Sequence, residues 1–191
     1  QFNLAQILYD GTASTRNYSE AIKWFSAAAN KGHVISAYNL GVMYWNGRGV
    51  AQDSKKAATY FQFAADAGHV DAQNNLGLMY LDGEGVVRDP QRAFQLLTLA
   101  AGNGSLNSKF SLGQMYKDGN GVIQDYAMAI NYFDNAARKG HAQSQYMMAF
   151  MYGKGLGVKK DLKTMRYWLE KAANQGFPDA VQAMARINDK K

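Results

Sequence analysis

The chain contains no cysteine and only two prolines, Pro90 and Pro178. Without thiols it has no disulfide framework, no cysteine nucleophile and no thiolate metal site, and an oxidising compartment is permitted. No run approaches the roughly 18 uninterrupted apolar residues that a membrane-spanning helix requires. No signal-like segment opens the chain, which starts at Gln1 rather than Met, so a processed or trimmed parent is expected. No basic block is interleaved with aromatics, which excludes the usual signature of nucleic-acid binding. Charged residues make up only 19% of the 191, while 47% are hydrophobic, too apolar for a disordered chain. The net charge of +6 is unevenly spread: Arg138 to Lys191 holds eleven Lys/Arg against four Asp/Glu. These come singly or in pairs rather than as a block and read as a solvated cap on the last turns, with an acidic partner or anionic surface as the alternative.

What the chain does have is a repeat. LGVMYWNGRGV at Leu40–Val50 returns as LGLMYLDGEGV at Leu76–Val86 and as LGQMYKDGNGV at Leu112–Val122. A looser copy, MAFMYGKGLGV, stands at Met148–Val158, every step being 36 residues without insertion. One period earlier come Leu4, Ala5, Ile7, Leu8 and Gly11; one period later come Met184, Ala185 and Ile187. The periodicity divides the chain into repeats at about 1–36, 37–72, 73–108, 109–144 and 145–180, with a partial sixth at 181–191. We therefore expect one array rather than several domains.

Each repeat reads as two helices. Ser36 or Ala37, Leu40, Met43 and Tyr44 share one face at helical spacing. Gly41, Gly77 and Gly113 sit beside that face, and Ala5, Ala149 and Ala185 fill the same slot. The slot therefore needs smallness, as where a neighbouring helix comes close. The paired glycines Gly47/Gly49, Gly83/Gly85, Gly119/Gly121 and Gly155/Gly157 should end the first helix and turn the chain. Asn17, Asp53, Asp89, Asp125 and Asp161 follow as N-caps of the second helix, with Pro90 suited to a first helical position. The second helix carries Ala57, Tyr60, Phe61, Ala64 and Ala65, echoed by Ala129, Tyr132, Phe133, Ala136 and Ala137, a core-facing stripe. Gly32, Gly68, Gly104, Gly140 and Gly176 close it. Seventeen of the nineteen glycines fall in recurring slots, and only Gly102 and Gly153 do not.

The LGxMYxxGxGVxxD run, followed by alanines, aromatics and a closing glycine, resembles the Sel1-like repeat family, a relative of the tetratricopeptide repeat. The likeness covers essentially the whole chain. It departs at Thr12, Ala13 and Ser14, where the first repeat lacks the second glycine and valine, and at Lys191, before the sixth repeat reaches a loop. The resemblance implies an all-α fold, a right-handed α-solenoid of helix-turn-helix repeats whose first helices line a concave, protein-binding face. The physics agrees, because one helical pair cannot bury its own apolar stripe and stacking makes the core continuous.

On the helical wheel, positions 35, 38, 42 and 45 lie opposite Leu40 and Tyr44. The resemblance places partner contacts at these offsets, and the candidate residues are Tyr38, Val42, Trp45, Asn74, Leu78, Leu81, Gln114, Lys117, Tyr146, Phe150 and Arg186. An outward stripe holding Trp45, Leu78, Leu81 and Phe150 suits a hot-spot surface. Recurrence of an aromatic at Tyr38, Phe110 and Tyr146 favours packing between repeats for those three. Variation in kind at Val42, Leu78, Gln114 and Phe150, and at Trp45, Leu81 and Lys117, favours recognition. The ladder lacks the repeated Lys/Asn pattern that clamps a terminal carboxylate in some tetratricopeptide domains.

No other feature outweighs its structural reading. His33, His69 and His141 occupy one repeat slot, which Ser105 and Phe177 also fill, and a whole repeat separates each from the next, too far for shared coordination of a metal. Gly153-Lys154-Gly155-Leu156-Gly157 follows a helix, whereas a phosphate-cradling loop needs a strand before it. The recurring aspartates are spread along the array as caps and form no carboxylate pair. Asn17-Tyr18-Ser19 and Asn103-Gly104-Ser105 match the glycosylation sequon, which matters only in a secretory eukaryotic host. We expect no catalytic residue, metal, cofactor, nucleic acid or membrane span, and a monomer. The function expected is a non-enzymatic adaptor that captures a protein partner on its concave face; the resemblance implies a bacterial envelope or host-contact factor, periplasmic or secreted, with a cytoplasmic location as the alternative. Two rivals follow from the resemblance: an immunity protein that blocks a secreted toxin enzyme stoichiometrically, and a cell-wall or small-ligand protein with hydrolase-like activity. Against the last, the relatives linked to β-lactams are cysteine-stapled and this chain is not.

Overall fold

The computed structural model describes residues 1–11 and 16–188; the Thr12–Ser14 departure and Lys191 lie outside the described residues. Eleven α-helices and no strand occur among the described residues. They form two compact units, Gln1–Asn103 and Gly104–Lys191. The N-terminal unit holds α1 (Phe2–Asp10), α2 (Tyr18–Ala29), α3 (Val34–Asn46), α4 (Ser54–Asp66), α5 (Val70–Asp82) and α6 (Pro90–Gly102). The C-terminal unit holds α7 (Leu106–Asp118), α8 (Tyr126–Arg138), α9 (Ala142–Lys154), α10 (Leu162–Asn174) and α11 (Pro178–Asn188). Within each unit every helix packs on the next in chain order, so the 36-residue period is a helical hairpin.

The ends of the helices follow from the punctuation. Gly47, Gly83, Gly119 and Gly155 are left-handed C-caps with φ of 65°, 73°, 70° and 74°. The next amide reaches back to the methionine carbonyl of the last turn, as from Arg48 to Met43 at 2.9 Å, so an otherwise orphaned carbonyl is paired. Gly11 differs, capping α1 at φ −48°. At Gly49, Gly85 and Gly157 the second glycine of the pair answers a stronger demand. At Gly85, with φ 72°, an added Cβ would lie 2.2 Å from the Ser54 carbonyl oxygen, where α4 begins. Only glycine allows the loop to lie on the preceding hairpin.

Asn17, Asp53, Asp89, Asp125 and Asp161 all accept backbone amides of the helix they precede, and Pro90 occupies the first turn after Asp89. The Lys56 amide holds the Asp53 carboxyl below the usual carboxylate range, and the Thr164 hydroxyl does the same for Asp161. The histidine slot also has a definite role. His33, His69 and His141 are N-caps of α3, α5 and α9, their Nδ1 accepting from Ser36, Ala72 and Ser144. Ser105 does the same for α7 with its hydroxyl.

In the N-terminal unit Phe25, Leu40 and Met43 form one buried cluster, and Phe61, Leu76, Met79 and Leu96 another. The C-terminal unit buries Phe133, Met148, Met151, Trp168 and Leu169. Each large side chain removed from water contributes about 1.5–3 kcal/mol. What comes close at the small slot is a side chain of the paired second helix. A Cβ at Gly41 would lie 2.6 Å from the Phe61 ring, at Gly77 2.9 Å from Leu97, and at Gly113 2.5 Å from Phe133.

Candidate partner-binding face

The ladder positions fall on one face of α3 and α5 in the N-terminal unit and of α7, α9 and α11 in the C-terminal unit. Beyond the position of Ile35 the ladder has three rungs, those of Tyr38, Val42 and Trp45, and in the N-terminal unit the first and third serve packing. In the N-terminal unit the Tyr38 ring stacks on His69 at 4.3 Å and meets Phe61 at 5.8 Å, and Phe2 meets His33 at 4.7 Å. In the C-terminal unit Phe110 lies 5.5 Å from His141, and Tyr146 lies 5.3 Å from Phe177. The first rung therefore presses each ladder aromatic onto the residue in the histidine slot of the following repeat, and all of these ladder aromatics are half-buried. Asn74 holds the same rung, is 6% exposed and donates its amide to Asn75 Oδ1 at 3.2 Å.

Trp45, on the third rung, is braced as well. Its ring meets Phe61 edge-on at 5.7 Å and 85°. Its Nε1 donates to Glu84 Oε1 at 2.9 Å, an oxygen that also accepts from the Ser54 hydroxyl at 2.7 Å. The indole thus ties the end of α3 to the start of α4 and to the loop after α5. Val42, Leu78 and Leu81 beside it are half-buried.

In the C-terminal unit Gln114 and Lys117 are half-buried; Lys117 pairs with Asp118, and the Gln114 side-chain oxygen finds no partner among the described residues. Phe150 is 40% exposed, and Arg186 stands in the open on α11. Together with Tyr146 these two line a pocket of about 430 Å³ between α9, α10 and α11. The structure so gathers three of the predicted residues at one concavity, floored by Ala149, Met165 and Leu169 and rimmed by Lys154 and Lys160.

Gly153 stands three periods after Trp45 at the same ladder offset and is not among the candidate residues, yet it is the residue that leaves this pocket open. The signal was present, since Gly153 is one of two glycines outside the recurring slots. Gly153 and Lys154 belong to α9, and Gly155 is its left-handed cap, so the glycine-rich run does not form a phosphate cradle. Among the described residues no cluster of three or more His, Asp or Glu could hold a metal ion, and no helix is long and apolar enough to cross a membrane.

Capped helical hairpins of fixed period, stacked on aromatic rungs, define the α-solenoid class of repeat protein. The chain belongs to the Sel1 repeat family, whose model matches residues 1–33, 34–69, 70–105, 107–141 and 142–177. Proteins of this family are typically protein-interaction scaffolds and generally non-catalytic. Among solved structures, a Sel1 repeat protein from Oxalobacter formigenes is 27% identical with a TM-score of 0.93, over 97% of this chain and 74% of that one. A protective antigen present in uropathogenic Escherichia coli is 35% identical with a TM-score of 0.86 over 92% of this chain, which spans 38% of the antigen's length. An immunity protein from Pseudomonas aeruginosa shares the fold at 22% identity and a TM-score of 0.61, over 94% of this chain and 65% of that one. No curated protein sequence matches the chain.

Proposed function

We propose that the chain is a non-catalytic binding module whose protein partner meets the ladder face, with the principal contact in the C-terminal unit. The observation that carries this is the pocket at Tyr146, Phe150 and Arg186, which joins an exposed aromatic to an open apolar floor. Hot spots of protein interfaces have that composition, aromatic and arginine anchors around a pocket that excludes water. In the N-terminal unit the corresponding aromatics are held by Phe61, His69 and Glu84, which supports a framing role there. An exported location, periplasmic or secreted, goes with this reading.

The test is capture from native extract on immobilised chain, comparing wild type with a folded Phe150→Ala, Arg186→Ala variant. One protein retained in stoichiometric amount and lost with the variant is the expected result. Retention by the variant moves the contact off the ladder face. Turnover of a cell-wall substrate by purified chain overturns the non-catalytic reading outright. A tight one-to-one complex with an enzyme would mark an immunity-type blocker, and weak binding of several partners a scaffold.

A further inference from the structure

We infer that the pocket at Gly153 is the seat of an aromatic side chain carried on an acidic segment of the partner. The inference rests on the protein-binding reading above and names the chemistry that reading leaves open.

The repeat itself states what the site lacks. The third rung reads Trp45, Leu81, Lys117 and Gly153, so only the last position of this series has no side chain. In the N-terminal unit that slot is filled by an indole lying edge-on against Phe61, the residue whose counterpart below Gly153 is Leu169. A slot whose native occupant is an aromatic ring in one repeat, left empty in another, has the shape to take such a ring from outside. Its volume of about 430 Å³ lies low in the range of ligand pockets, enough for one large side chain.

The backbone does not demand glycine here. Gly153 lies inside α9 without a left-handed φ, and an added Cβ would meet only the flexible Met165, at 3.2 Å from its sulfur. The consequence of the glycine is therefore the opening. Met165 gives that opening an adaptable, polarizable wall that suits an aromatic face.

Charge then selects the segment. Lys154, Lys160 and Arg186 line the pocket, and among the described residues no Asp or Glu does. The C-terminal unit holds thirteen Lys/Arg against seven Asp/Glu, whereas the N-terminal unit holds eight of each. An apolar floor inside a cationic rim is complementary to an aromatic residue flanked by carboxylates, and such complementarity sets orientation and on-rate as well as affinity.

The test uses the full chain and a fluorescein-labelled peptide, Gly-Asp-Glu-Trp-Glu-Asp-Gly, followed by anisotropy at low salt. The tryptophan peptide should bind at least about tenfold more tightly than the same peptide with alanine at its centre. Replacing its acids by lysines should abolish binding. Gly153→Trp, which supplies the missing side chain, should remove binding while the thermal melt stays at or above wild type. Arg186→Glu, a surface change independent of any repacking, should weaken it by about threefold or more. Equal binding of the tryptophan and alanine peptides overturns the inference, as does binding that survives both Gly153→Trp and Arg186→Glu. A captured partner that needs Phe150 but is indifferent to Gly153→Trp leaves the ladder reading intact and sinks this one. Peptide binding lost with Gly153→Trp, in a chain with no Phe150-dependent partner, keeps the pocket and sinks the ladder reading.

Discussion

Trp45 and Gly153 occupy the same rung of two different repeats, one in each unit, and they leave opposite surfaces. Around Trp45 the ring is held by Phe61 and its nitrogen by Glu84, so the groove is closed by the chain itself. Around Gly153 the neighbours Tyr146, Met165, Leu169 and Ile187 still converge, but no side chain of the described residues fills the space between them. The difference teaches that a repeat scaffold separates two tasks. Caps, closing glycines and large apolar second-helix residues recur along the array because they hold the stack, while a rung that no other residue depends on is free to become a site.

The comparison is most easily broken at Trp45. Trp45→Ala should destabilise the protein by about 2–3 kcal/mol in urea titration, because a half-buried indole and its hydrogen bond to Glu84 are both lost. A cost below about 0.5 kcal/mol, the level of an ordinary surface substitution, would show that the ring is not a brace and that the units are alike. Caps should not distinguish the units. Asp89→Ala in one and Asp125→Ala in the other should each cost about 1 kcal/mol, read by the same titration. A marked inequality would locate the asymmetry in the helices rather than in the rung. At the open rung the sign reverses. Gly153→Ala should stabilise by about 0.5–1 kcal/mol through helix propensity, less whatever the Met165 adjustment costs. Destabilisation there would mean that the glycine is required by packing.

The smallest effect is on pH dependence in the C-terminal unit. Burial lowers the His141 pKa below its ordinary value, and its Nδ1 accepts the Ser144 amide while Nε2 faces Asn107 Oδ1 at 3.0 Å. The native state therefore binds fewer protons than the unfolded state just below about pH 6.5. The stabilisation is complete above that pH and is lost as pH falls through the folded value, where protonation removes the cap acceptor. His141→Ser, the residue that caps α7 from the same slot, should flatten melting temperature between about pH 7 and pH 5. An unchanged slope would exclude His141 as its source.

Much of this was legible in the sequence because it depends on neighbours in the chain. The period, the aspartate caps, Pro90 at a helix start and the left-handed glycines each follow from residues a few positions apart. The role of the histidine slot was less so. The sequence excluded a shared metal, but capping by imidazole depends on a ring turned toward an amide three residues on, and on a ladder aromatic from the preceding repeat pressed against it. For the site the sequence named Tyr146, Phe150 and Arg186 as members of a ladder without showing that those three share one concavity.

By itself, then, the sequence determined the helical hairpin, its 36-residue repetition and the buried stripe, since local hydrogen bonding and apolar periodicity are fixed within one repeat. Only the tertiary structure decided which rungs are closed and which is open. That depends on whether side chains from α9, α10 and α11, distant in sequence, meet across a missing one, and volume left between helices is a property of their packing.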